Sequence, residues 1–305
     1  MSRSSIAGPL FAAAWLLAGC GAPATEPAAE APAPAVSVAP GVAAPAAGTP
    51  LAAPPPASPW PLVAPDPSTI PDGPLGDAIR RGRLLLDRTA QELPDNVGND
   101  LRCTSCHLQG GTVAKAGPWV GITGMFPEYR SRNAAVNTIE DRVNDCFERS
   151  LNGAALPPES ADLRAIVAYM TWLSQGVPVG VPIDGRGFAR IVDQPTPDPA
   201  NGQVLYGEKC AVCHGASGEG LVGAEGVTVY PALWGDRSFN IGAGMSRLDT
   251  AAAFVRWNMP LGQGGSLSDQ EATDVAAWFT TQPRPDFAGK GGDWPKGGKP
   301  RDARY

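Results

Sequence analysis

Leu163, Ile166, Val167, Met170 and Leu173 recur at three- and four-residue intervals, the spacing that lays apolar side chains along one face of a helix. The pattern predicts an amphipathic helix over 161–175. A counterpart opens at Ser268, where Ser268-Asp269-Gln270-Glu271 reads as a capping box, and runs past Trp278. Helical stretches over 75–89 and 202–209 each precede a cysteine motif. A further helix is predicted over 139–151, with Thr138 as N-cap and Asp141 three residues on. These elements repeat: Cys106 and Cys213 are 107 residues apart, Trp172 and Trp278 are 106 apart. The chain therefore contains two copies of one small helical fold, separated by a Gly- and Pro-punctuated connector over 181–198.

The N-terminal end does not share this pattern. Met1 to Cys20 has an early Arg3, an apolar stretch from Ile6 to Ala18 and the boundary Leu17-Ala18-Gly19-Cys20. That is the form of a secretory signal over 1–19. Its closing Cys20 resembles a bacterial lipoprotein processing site, so the expected location is the periplasmic face, anchored to membrane through an acylated Cys20. The alternative is an ordinary signal with an incidental cysteine. From Gly21 to Ile70 the chain is mostly Ala and Pro and has no Lys or Arg, which predicts an extended tether over 20–72.

Composition narrows the function. The 305 residues fit about two domains. A net charge of −6 argues against a nucleic-acid partner, which would need concentrated Lys and Arg. The chain has six Cys and only two His, and His107 and His214 each follow a Cys-x-x-Cys. A His-based zinc hydrolase, a Ser-His-Asp triad and a dihaem peroxidase with a distal His all need imidazoles this chain lacks. Cys-x-x-Cys-His is the signature of c-type haem attachment. Cys103 and Cys106, then Cys210 and Cys213, would form thioethers, with His107 and His214 as proximal iron ligands. Zinc ribbons and thioredoxin-like pairs share part of the pattern, but two copies in repeated helical contexts behind an export signal favour haem.

With both His taken, each iron needs a second axial ligand from Met, Cys, Lys or solvent. For the second haem Met259 lies 45 residues after His214, and Pro260 stiffens its loop; Met245 is the competitor. The first domain has Met125 only 18 residues after His107, and Met170 belongs to the buried helix face. What it does have is Cys146, 39 residues after His107. Four Cys go to haem and Cys20 to lipid, so Cys146 has no disulfide partner. It is either an inert buried thiol or a working one. On the predicted helix Arg142 stands at i−4, Arg149 at i+3 and Ser150 at i+4, and Arg130 and Arg132 precede it. Guanidinium groups stabilise a thiolate and bind oxyanions; otherwise they are a solvated helix face.

FPEYRSR (from Phe126), VNTIEDRVNDCFERSLNG (from Val136), YPALWGDRSFNIGAGMSR (from Tyr230), NMPLG (from Asn258) and the terminal GGDWPKGGKPRDARY resemble the dihaem thiosulfate dehydrogenase family of periplasmic c-type cytochromes. The resemblance covers about 76–305. It implies an all-α chain of two tandem class I cytochrome c domains, each wrapped round one covalently attached haem. The first, over 73–180, would be catalytic with His107/Cys146 ligation. The second, over 199–287, would transfer electrons with His214/Met259 ligation, and a tail follows over 288–305. Some members carry Lys just before that Met; here it is Asn258, which cannot ligate iron in that way. The implied reaction couples two thiosulfates to tetrathionate, in some members also the reverse. Cys146 would be the nucleophile, Arg132 and Arg142 the anion clamp, with Arg130 and Ser150 beside them. Electrons would leave to a soluble or membrane-bound cytochrome or a high-potential iron–sulfur protein. Two other readings are a dihaem electron carrier without substrate chemistry, and a haem subunit of a carrier-dependent sulfur-oxidising system.

Overall fold

Two glycines set how closely the helices pack. A Cβ on Gly82 would sit 2.0 Å from the Ala165 carbonyl oxygen, and one on Gly202 would sit 2.0 Å from that of Asp274. Each glycine therefore lets an opening helix cross a closing helix at backbone contact. In the first domain these are α1 (Pro74–Asp87) and, after α2 (Ile139–Arg149), α3 (Ala161–Leu173). In the second they are α4 (Pro199–Lys209) and, after α5 (Leu248–Asn258), α6 (Asp269–Thr281). The computed structural model describes residues 59–305. Cys20, the signal and most of the tether lie outside the described residues. Among the described residues no helix is long and apolar enough to cross a membrane.

The predicted helices are present within a few residues, and Ser268 and Glu271 form the expected capping box. Two short antiparallel ribbons are added, β1 (Glu128–Arg130) with β2 (Ala135–Asn137) and β3 (Leu221–Val222) with β4 (Thr228–Tyr230). Strands of two or three residues are too short to leave an alternating signal. A buried tyrosine in each domain fastens the chain just beyond its cysteine motif. Tyr169 of α3 donates to the Gly110 carbonyl at 2.9 Å, and Tyr206 of α4 donates to the Gly215 carbonyl at 2.7 Å.

Residues 59–72 and 181–187, expected as tether and part of the connector, are bonded to the first domain, whereas Ala189, Thr196 and Asp198 bond to the second. The Trp60 N–H donates to the Pro182 carbonyl at 2.7 Å, and the Asp184 N–H donates to that of Trp60 at 2.8 Å. Trp172 Nε1 donates to Thr69 at 3.3 Å, and Val181, Ile183 and Ile191 are buried. Farther along, Asn240 is 1% exposed and donates to the Glu148 carbonyl at 2.8 Å, so the second domain satisfies the C-terminal end of α2.

The tail also reaches back. The Asp293 side chain is 3% exposed and accepts from Arg132 Nε at 2.7 Å, from Arg149 at 2.8 and 2.9 Å, and from the Tyr305 hydroxyl. Burial pushes this carboxyl up, but hydrogen bonds from Arg149, Tyr305 and Arg132 outweigh it and hold it below the ordinary aspartate value. Its contribution is thus complete above about pH 4 and is lost as pH falls through the lowered folded value. Asp293→Asn is expected to cost about 3 kcal/mol at neutral pH, because it takes the shared carboxylate from the half-buried Arg132 and the buried Arg149. Thermal unfolding checks this: the gap in Tm should narrow in acid, and equal Tm values at neutral pH would disprove the role.

Candidate functional site

The site helix α2 is started by Thr138 and Asp141. The Thr138 N–H donates to Asp141 at 2.8 Å, and the Asp141 N–H donates to Thr138 Oγ1 at 3.3 Å. Val143 and Phe147 anchor the helix in the core. Four residues apart on its other side, Arg142, Cys146 and Ser150 all line one cavity of about 240 Å³. Within it Arg142 Nη1 donates to Cys146 Sγ at 3.0 Å. The sulfur raises the buried guanidinium above its ordinary value, against desolvation, which lowers it.

His107, Cys103 and Cys106 line the same cavity. His107 Nδ1 donates to the Gly117 carbonyl at 2.5 Å, and its ring stacks on Trp119 with centroids 4.6 Å apart. That bond fixes the tautomer and leaves the Nε2 lone pair for a metal. Burial lowers the imidazole to about 4, so it is neutral at physiological pH, as a ligand must be. Burial pushes the Cys103 and Cys106 thiols up to about 12.

A second cavity of about 150 Å³ repeats the arrangement. His214 Nδ1 donates to the Pro231 carbonyl at 2.9 Å, and burial lowers this imidazole too. Cys210, Cys213, Met245 and Met259 line it among aromatic and aliphatic walls that include Phe239, Phe254 and Phe279. Both candidate methionines are therefore at hand. Asn258 is buried and spent elsewhere, donating to the carbonyls of Lys115 at 3.1 Å and Phe254 at 3.2 Å. In each domain two thiols, a neutral imidazole with an oriented Nδ1 and a soft sulfur donor surround one largely apolar slot. That donor set fits a covalently attached haem.

The arginines divide differently from the expectation. Arg130 lines the first cavity and pairs with Glu128 at 2.8 Å. Arg132 is not among the lining residues. Its guanidinium is taken up by Asp293, by the Gly242 carbonyl at 2.7 Å and by Tyr305 at 2.8 Å, so the expected clamp of Arg132 with Arg142 is corrected. Arg149 turns to Asp293 as well. In their place stands Arg186, which sequence reasoning missed, lining the cavity and lying 3.7 Å from Glu128. It lies in the connector, whose Gly185 and Gly187 read as loop and carry no spacing signal. Gly187 also accepts from the Gly117 N–H at 2.9 Å, so this connector supports the peptide that orients His107.

Residues 95–179 match the family described as SoxA/TsdA, cytochrome c domain, and residues 199–283 match cytochrome c. A thiosulfate dehydrogenase of Psychrobacter arcticus is 54% identical over 237 residues, 78% of this chain and 72% of that one. One of Allochromatium vinosum is 50% identical over 228 residues, covering 73% and 84%. The solved thiosulfate dehydrogenase (TsdBA) of Marichromatium purpuratum superposes with a TM-score of 0.71 at 41% identity. The match covers 73% of this chain and 49% of that longer one. Fold and site together define a dihaem c-type cytochrome of two tandem domains, each with a covalently bound haem, which places the chain outside the cytoplasm. Within that class the chain belongs to the thiosulfate dehydrogenase family.

Proposed function

We propose that the chain oxidises two thiosulfates to tetrathionate at the first-domain cavity, and that the second domain relays the two electrons released to an external cytochrome or high-potential iron–sulfur protein. The observation that carries this reading is the Arg142–Cys146 contact at 3.0 Å in a cavity that also holds His107, Arg130 and Arg186. A dihaem electron carrier has no need of a guanidinium-bonded cysteine beside its haem.

Cys146 supplies the nucleophile and, with His107, would hold the iron of the first haem. The haems, when bound, supply one-electron acceptors at the two sites. The Cys146 thiolate and the outer sulfur of one thiosulfate form an S–S bond with release of two electrons. The outer sulfur of a second thiosulfate then attacks the sulfur bound to Cys146. The Cys146 bond breaks, tetrathionate leaves and the thiolate returns. Splitting the coupling this way avoids bringing two free dianions together. Arg142 and Arg186 offset their charge through charge-assisted hydrogen bonds, and Ser150 adds a neutral donor at the same wall. Steady-state assay of the purified holoprotein, with ferricyanide as acceptor and a reduced dye as donor, tests the reading. Absence of turnover in both directions would refute it.

For the second domain we propose His214/Met259 ligation. Met259 caps α5, its N–H donating to the Val255 carbonyl at 3.0 Å, which holds its loop at the cavity wall. Met259→Gly should remove the methionine–iron charge-transfer band of the oxidised protein and lower the second potential. If Met245→Gly has that effect instead, the ligand is Met245.

The finer location is likewise proposed: acylation at Cys20 and a tether that holds the body off the membrane. Two or three acyl chains would anchor it stably. The mature protein should partition into detergent and yield an acylated N-terminal peptide, and an unmodified Cys20 in the native host would refute the anchor.

A further inference from the structure

The two haem cavities meet at one short stretch of chain: Leu101, Arg102 and Cys106 line both. Arg102 is the one charged residue they share among the described residues. The other cation at the second cavity, Lys209, is exposed, and those at the first are Arg130, Arg142 and Arg186. The Arg102 backbone is fixed, its N–H donating to Ser105 Oγ at 3.3 Å and its carbonyl accepting from the Ser105 N–H at 2.9 Å. Its side chain is less satisfied. Nη1 donates to the Asp87 carbonyl at 3.3 Å, but Nε is buried without any partner.

A buried donor left unpaired costs about 1–3 kcal/mol, and more on a charged group. That cost disappears if the bound cofactor brings an acceptor. A haem carries two propionate carboxylates on the edge of the macrocycle remote from its thioethers. Arg102 directly precedes Cys103, so it stands at the thioether edge of the first haem, away from that haem's own carboxylates. The remaining source is the haem of the other cavity that Arg102 lines. We propose that Arg102 is the counter-ion of a propionate of the second haem, held beside the thioether edge of the first. The proposal needs only the two covalent haems and stands apart from the substrate chemistry.

A fixed positive charge there stabilises the reduced haem, so its removal should lower the potential, most strongly at the second haem. The test is a redox titration of the holoprotein, followed by visible and EPR spectra, for Arg102→Gln and Arg102→Lys. Gln loses the charge but keeps an amide donor near the Nε position; Lys keeps the charge and loses the planar fork. The second potential should fall in Arg102→Gln and recover most of the way in Arg102→Lys. Unchanged potentials in Arg102→Gln, even with a lower Tm, would reduce Arg102 to a packing role and overturn the proposal, as would a shift confined to the first haem. Should Arg102→Gln fail to accumulate as holoprotein, resonance Raman of Arg102→Lys decides. A shifted propionate-bending band supports the pairing, and an unmoved one overturns it.

Discussion

Cys146→Gly is expected to leave both haems covalently attached and to abolish thiosulfate oxidation. The four thioether cysteines are untouched, so the number of haems attached per chain should match wild type. The spin state of the first haem should change, because a sulfur that lines its cavity is gone. Activity should fall by roughly three orders of magnitude or more, since the loss of a covalent nucleophile has no local substitute. The remaining thiols near the site, Cys103 and Cys106, are consumed by thioethers. Steady-state rates give the loss, and mass spectrometry of wild type exposed to thiosulfate should place the added sulfur species on the Cys146 peptide. A Cys146→Gly protein turning over thiosulfate at near wild-type rate would defeat the mechanism whatever its spectrum.

Arg142→Ala should be the next most damaging change, by about a hundredfold or more, the usual scale for deleting one charge-stabilising donor. Two losses combine. The Cys146 sulfur forfeits its 3.0 Å partner, and the cavity loses one of its cations. Arg142→Lys should retain part of the activity, because an ammonium keeps the charge without the planar fork. Arg132→Ala provides the contrast. Arg132 is bonded to Asp293 and not to the cavity, so its replacement should lower Tm more than it lowers kcat. If Arg132→Ala matched Arg142→Ala in activity at unchanged Tm, the division of the arginines drawn from the structure would be wrong.

The site was legible where its chemistry is local. Thr138 and Asp141 announce the start of α2 within four residues of chain. Arg142, Cys146 and Ser150 then fall on one face by helical arithmetic alone. Scarcity did the rest: two imidazoles and one unpaired cysteine leave few assignments. What could not be read depends on partners far along the chain. Arg132 looks like a neighbour of Cys146 until Asp293, 161 residues later, claims its guanidinium. Arg186 looks like loop until the connector folds under His107. Gly82 and Gly202 carry no periodic signal, yet they set the helix crossings on which both slots depend, because their role is a contact distance and not a side chain.

The engagement of Asp293 and Tyr305 with Arg132 and Arg149 bears on how the polypeptide matures after export. Secretion delivers the chain from its N-terminus onward, so the first domain emerges with two arginines still lacking their acid. Those contacts form only once residues 293–305 have crossed. Changes at Asp293 or Tyr305 therefore act on the half of the protein that was made first, not on the domain next to them in sequence.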